Sequence, residues 1–110
     1  MAFHATFLYP NGEDLKFDKA YYLLEHMPLM QKQFVKHGLR NWEIVEYKPD
    51  NDGVKPPYIL GTTLVFETSD QFSAALASDD AKPVFADMPN YTNKQPVFLG
   101  GHVVRRFQEV

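Results

Sequence analysis

The sequence contains no cysteine, and with cysteine go disulfides, thiolate nucleophiles and thiolate metal ligands. It also lacks any apolar run near the ~20 residues that span a membrane. Its first residues, MAFHATFLYP, do not have the basic-then-apolar layout of a secretory signal. Both absences lead to the expectation of a cytoplasmic protein with no membrane partner. The formal net charge of -3 comes from scattered residues with no basic stripe to neutralise phosphates, so no nucleic-acid partner is expected. There is no glycine-rich phosphate loop, no GxSxG elbow and no HExxH. Internal repeats and low-complexity tracts are absent as well.

What the chain does have is apolar bulk. Hydrophobic residues make up 45% of the 110 and aromatics 15%, enough to build one core within a single domain. Residues Ala2 to Tyr9 alternate, with Phe3, Ala5, Phe7 and Tyr9 on one face, and predict a central strand. Pro10, Asn11 and Gly12 turn the chain toward a helix. Asp18 is its N-cap and Gly38 its stop, so the helix is expected to run to about Lys36. A 100° step puts Leu23, His26, Met27, Met30, Phe34 and His37 on one side. Pro28 conflicts with this helix: it donates no hydrogen bond and crowds the Leu24 carbonyl, which predicts a kink near His26.

Residues Asn41 to Lys48 predict an edge strand, and Pro49 to Pro57 a polar loop whose acidic residues lack calcium-loop spacing. Tyr58 to Phe66 predict a second central strand, in which Gly61 marks a bulge or a close approach. Thr68 and Gln71 form a capping box for a second helix to about Ala77. Asp79 or Asp80 is then a cap for one further turn carrying Val84 and Phe85. Asp87 to Pro96 read as an irregular loop and Val97 to Phe107 as the last strand.

The order strand, helix, strand, strand, helix, strand is that of an α+β, ferredoxin-like split βαβ fold: a four-stranded antiparallel sheet, order 4-1-3-2, with two helices on one face. Its first and third strands are apolar on both faces. The face that the helices leave open therefore needs a cover, and a second copy packed sheet to sheet, a dimeric α+β barrel, supplies one. A homodimer is expected.

The chain resembles the EthD domain, named for its association with bacterial ethyl tert-butyl ether degradation. Three blocks carry the resemblance: Phe17, Asp18, Tyr21, Tyr22, His26, Pro28 and Leu29; then Gly61 to Glu67 with Phe72 and Ala75; then Asp87, Pro89, Asn90, Tyr91 and Thr92. The resemblance implies the dimeric α+β barrel fold and a role toward small organic molecules, catabolic or accessory. Related fungal sequences are linked to polyketide decarboxylation, so no single reaction transfers.

His26 is the leading candidate for chemistry, because imidazole exchanges protons near neutral pH. Tyr22, one turn earlier, is offered as a hydroxyl partner. Against these stand a core-edge histidine bonded to a backbone carbonyl and a tyrosine that merely packs. Met30 and Gln33 on the helix, and Asp87, Asn90 and Tyr91 on the loop, are the expected ligand-binding positions. Asp18 is assigned to capping and Tyr21 to the solvent or loop side. No metal site is expected: His26 and His37 lie ~16 Å apart along the helix, and His4 with His102 on neighbouring strands lack a placed carboxylate. No cofactor is required by any motif. Three readings follow: cofactor-independent proton transfer (decarboxylation, isomerisation or cyclisation) on a small hydrophobic or aromatic molecule, a non-catalytic accessory protein that binds such a molecule for an oxygenase, or a filled core without a pocket.

Overall fold

A computed structural model describes residues 1–109. Strands β1 (Phe3–Pro10), β2 (Leu39–Glu46), β3 (Tyr58–Phe66) and β4 (Val97–Gly101) form one antiparallel sheet in the order β2-β3-β1-β4, as the sequence predicts. Period-two alternation sorts the sheet into two faces. Ala5, Tyr9, Leu60, Thr62, Leu64 and Phe66 are buried beneath the helices. Leu8 and Val97 face each other across the ladder on the opposite, open side, and Thr6 bonds Thr63 there at 2.9 Å. Leu99, on the same open side, is 57% exposed.

The first helix is continuous from Lys19 but changes its winding three times: α1 (Lys19–Tyr21), a π-helical segment (Tyr22–His26), α2 (Met27–Phe34) and a final 3₁₀ turn (Val35–His37). Asp18 caps it, accepting from the Tyr21 amide at 3.0 Å. Pro28 stands in the first turn of α2, where its missing N–H matters least. The disturbance expected near His26 takes the form of the π segment, in which the Met27 N–H reaches back five residues to the Tyr22 carbonyl. A π turn rotates less per residue than an α turn, so helical-wheel phases do not carry across it. This corrects the buried face. Leu23 is 40% exposed, and Tyr22 takes the place expected of it against the sheet, beside His26, Met27, Met30 and Phe34.

Gly38 ends the helix at φ 100°, the left-handed conformation that its residue type predicts. Thr68 caps α3 (Ser69–Ala77) by accepting from the Gln71 amide at 3.1 Å. The Gln71 side chain does not return the bond: its Nε2 donates to Glu67, and its Oε1 accepts no bond. A further short helix, α4 (Ala81–Ala86), follows, but Asp80 makes no capping bond to it. Its carboxylate accepts from His37 at 2.8 Å and pairs with Lys36 at 3.2 Å, tying the end of the first helix to the start of α4. A 3₁₀ turn (Met88–Asn90) orders part of the loop read as irregular. Strand β4 stops at Gly101, short of the expected Phe107, because Gly101 already pairs with His4 and β1 begins one residue earlier. Gly61 is a site of close approach: a Cβ there would lie 2.5 Å from the Tyr47 hydroxyl oxygen. No helix among the described residues is long and apolar enough to cross a membrane.

Gly38 joins the first helix to β2, and a Cβ on it would sit 2.6 Å from Gln71 Oε1 in addition to straining a positive φ. Gly38→Ala is expected to lower stability by about 1–2 kcal/mol, read as a fall in the urea midpoint with an unchanged slope. An unaltered midpoint would show that the helix terminus does not need this conformation.

Candidate functional site

Between the helices and the covered face of the sheet lies a cavity of about 270 Å³. Phe7, Tyr9, Thr62 and Leu64 form the sheet side, and Tyr22, His26, Met27, Met30 and Phe34 the wall from the first helix. Val84, Phe85, Met88 and Tyr91 close the opposite side, with Gln95 and Phe98 beyond them. A pocket is thus present within one copy, on the helix side of the sheet.

The π segment places Tyr22 and His26 together on this wall, their rings stacked at 5.5 Å between centroids with 14° between planes. The Tyr91 ring lies 4.4 Å from the imidazole on a tilted plane. His26 Nδ1 is 2.9 Å from Asp87 Oδ2, and the two side chains are 7% and 11% exposed. The partner is a carboxylate from 61 residues away, not the backbone carbonyl that a core-edge histidine would use. Asp87 is itself held in place: the Tyr21 hydroxyl donates to Oδ1 at 2.5 Å and Asn90 Nδ2 donates to the same oxygen at 2.9 Å. An ionised carboxylate accepts all three bonds, which fixes the neutral imidazole with its proton on Nδ1. Nε2, unbonded among the described residues, is left as the ring's proton acceptor.

Two pairs of buried hydroxyls complete the polar part of the cavity. Tyr9 and Tyr91 share a bond of 2.8 Å, and Tyr22 and Thr62 one of 2.6 Å. Burial, above all, pushes all three phenols well above their usual pKa, so they remain O–H groups at any working pH. Burial also pulls the His26 pKa below its ordinary value, with Asp87 opposing. For Asp87 desolvation pushes upward, but the bonds from Tyr21, Asn90 and His26 together outweigh it and hold its pKa below the usual carboxylate value.

Among the expected site residues, the structure brings His26, Tyr22, Met30 and Tyr91 to the cavity and places Asp87 directly behind the imidazole. Gln33 and Asn90 are not on the cavity wall. Gln33 stands on α2 between the cavity residues Met30 and Phe34 but is only half-buried, and Gln31 accepts from the Trp42 indole. Asn90 acts on Asp87 instead of a ligand. Sequence reasoning missed Tyr21, whose hydroxyl is part of the clamp, and Tyr9 and Thr62. A threonine on the otherwise apolar face of β3 was the available signal for the last. The Asp18 amide donates to the Tyr91 carbonyl at 2.8 Å and Phe17 bridges Thr92, so the first and third motif blocks meet as one unit. His4 and His102 border one shallow groove without a carboxylate, and no cluster of three metal-ligating side chains occurs among the described residues.

This is a ferredoxin-like α+β domain with a pocket between its helices and its sheet. No protein-family model matches the chain, and no curated protein sequence does. Solved structures do. An EthD-like protein from Ralstonia eutropha superposes with a TM-score of 0.85 at 23% identity, covering 96% of this chain and 95% of its own. An ethyl tert-butyl ether degradation (EthD) family protein from Bacillus halodurans gives 0.73 at 20%, covering 94% and 100%. A hydroxynitrile lyase from Passiflora edulis gives 0.66 at 11%, covering 97% and 96%. The chain thus has the fold of EthD-like proteins, in agreement with the resemblance carried by its motifs.

The folded pKa of His26 lies below the unfolded one, so on acidification the unfolded chain takes up its proton first. Stability from burying the neutral ring is therefore fully present above about pH 6.5 and is lost as the pH falls below that value toward the folded pKa. Urea midpoints measured across this range should fall with acidification, and His26→Gln should remove that step. Asp87→Asn should lower the His26 pKa further in an NMR titration, since it removes the charge that favours imidazolium; a rise would refute the assigned pairing.

Proposed function

We propose that the cavity is a cofactor-independent proton-transfer site for a small hydrophobic or aromatic molecule, with His26 Nε2 as the base. The observation that carries this reading is the bond from His26 Nδ1 to a carboxylate that Tyr21 and Asn90 hold from its other side. An oriented neutral imidazole with a free nitrogen on an apolar cavity can remove a proton from carbon or oxygen and return it. Asp87 stabilises the imidazolium formed meanwhile, and the Tyr22 and Tyr91 hydroxyls are the nearby donors for negative charge developing on the substrate. Decarboxylation, isomerisation and cyclisation all use such a step. The lyase activity named for the Passiflora protein fits a fold of this kind serving bond-breaking chemistry.

A second reading, a non-catalytic accessory protein that binds a hydrophobic compound for an oxygenase, draws on a different observation. Apart from His26, the titratable cavity residues are tyrosines whose phenols stay protonated, so no second acid–base group of ordinary pKa is present. In either reading the chain works as a homodimer through the open sheet face, where Val45, Val97 and Leu99 are exposed apolar side chains. That face is opposite the cavity.

Deuterium exchange at the α-carbon of 2-tetralone, followed by NMR, tests the base without presuming a reaction. The protein is expected to accelerate exchange over buffer and His26→Ala to remove about 10²–10⁴-fold while leaving the fold and ligand binding intact. Exchange equally fast in the variant would remove His26 from the mechanism, and binding without any acceleration would favour the accessory reading. Leu99→Glu is expected to convert the dimer to a monomer in sedimentation velocity; a monomeric wild-type protein would overturn the assembly.

A further inference from the structure

We propose that the cavity selects uncharged ligands, each an apolar body of about two fused rings carrying a hydroxyl or carbonyl group, and rejects the corresponding carboxylates. This rests on the reading of the cavity as a ligand site. None of the residues lining it is lysine, arginine, aspartate or glutamate. Behind His26 stands the Asp87 carboxylate, whose negative charge makes the polar end of the cavity unfavourable to an anion. The imidazole offers no compensating cation, because burial holds it neutral. Lys94 lines an outer groove that shares Phe85, Met88 and Gln95 with the cavity, but its ammonium pairs with Asp14 at 2.8 Å. An organic carboxylate entering the cavity would lose its water without gaining a counter-ion or a full set of donors.

The polar atoms present suit a neutral group. Tyr9 bonds Tyr91, Tyr22 bonds Thr62 and Tyr9 and Tyr22 interact, so the four hydroxyls serve one another and one O–H remains to donate. His26 Nε2 accepts. A ligand hydroxyl can donate to the imidazole and accept from a tyrosine, and a carbonyl can take the free O–H. A dry cavity of about 150 Å³ holds benzene, so the 270 Å³ here has room for a bicyclic ring system. Among proton-transfer reactions this favours isomerisation or cyclisation of a neutral carbonyl compound over decarboxylation, which needs a bound carboxylate.

The test compares 2-naphthol with 2-naphthoate by isothermal titration near pH 7.5, with binding located by shifts of the His26 and Tyr91 NMR signals. The naphthol is expected to bind at least tenfold more tightly. A matching experiment on Gln95→Lys, which adds a cation at an exposed residue of the cavity lining, is expected to raise the ratio of naphthoate to naphthol affinity severalfold, and an unchanged ratio would overturn the electrostatic basis of the selectivity. Equal binding of the two, or tighter binding of naphthoate by the wild-type protein, overturns the selectivity while leaving the ligand site standing. Binding of neither, or binding that shifts neither residue, overturns the ligand site and the selectivity together.

Discussion

Pro28 sets a constraint that the rest of the site follows. A proline in the middle of a regular α-helix removes one amide and pushes its ring against the carbonyl four residues earlier. Here the backbone stays helical on both sides and widens into a π turn immediately before the proline, so that α2 begins afresh with Pro28 in its first turn. The widened turn spans Tyr22 to His26, which brings both residues onto the cavity wall as a stacked pair and turns Leu23 and Leu24 outward. Two leucines face solvent where a regular helix would bury one of them. Two polar side chains, each with a partner at hand, occupy the inside.

Tyr22 finds its partner, Thr62, on β3, and His26 finds Asp87 in the loop that follows α4. Asp87 receives bonds from His26, Tyr21 and Asn90, and the neighbouring backbone locks Phe17 and Asp18 to Tyr91 and Thr92. Desolvation alone would raise the pKa of Asp87 and weaken its hold on the histidine. Three donors on its two oxygens keep it ionised, and the ionised form is what fixes the imidazole tautomer. The site is thus electrostatically one-sided, with a fixed negative charge behind the histidine, neutral hydroxyls around it and apolar rings beyond.

The two faces of the sheet lie in different surroundings. Its covered face supplies Tyr9 and Thr62 to the cavity, while the face carrying Leu8, Val45, Val97 and Leu99 has no layer of its own. Because strand side chains alternate, β1 serves both faces without sharing a residue, with Tyr9 on one and Leu8 on the other. A substitution on the open face can therefore leave the residues of the pocket in place.

Much of this was legible in order along the chain. Alternation marked β1 and β3, Asp18 and Thr68 marked helix starts, Gly38 marked a stop, and the order of elements led to the correct strand order. Such signals are local, since they depend on residues within a few positions of each other. The singularity of Pro28 was legible too. What the sequence alone could not decide was the phase of the helix within the π turn, where Leu23 faces out, the end of β4 and the partner of His26. The first depends on how the backbone absorbs a steric conflict, the second on where the neighbouring strand runs out, and the third on a contact across 61 residues that exists only once the loop folds over the helix. Tyr21 and Asn90 changed meaning for the same reason: each is an ordinary polar residue until the tertiary structure brings it to one carboxylate.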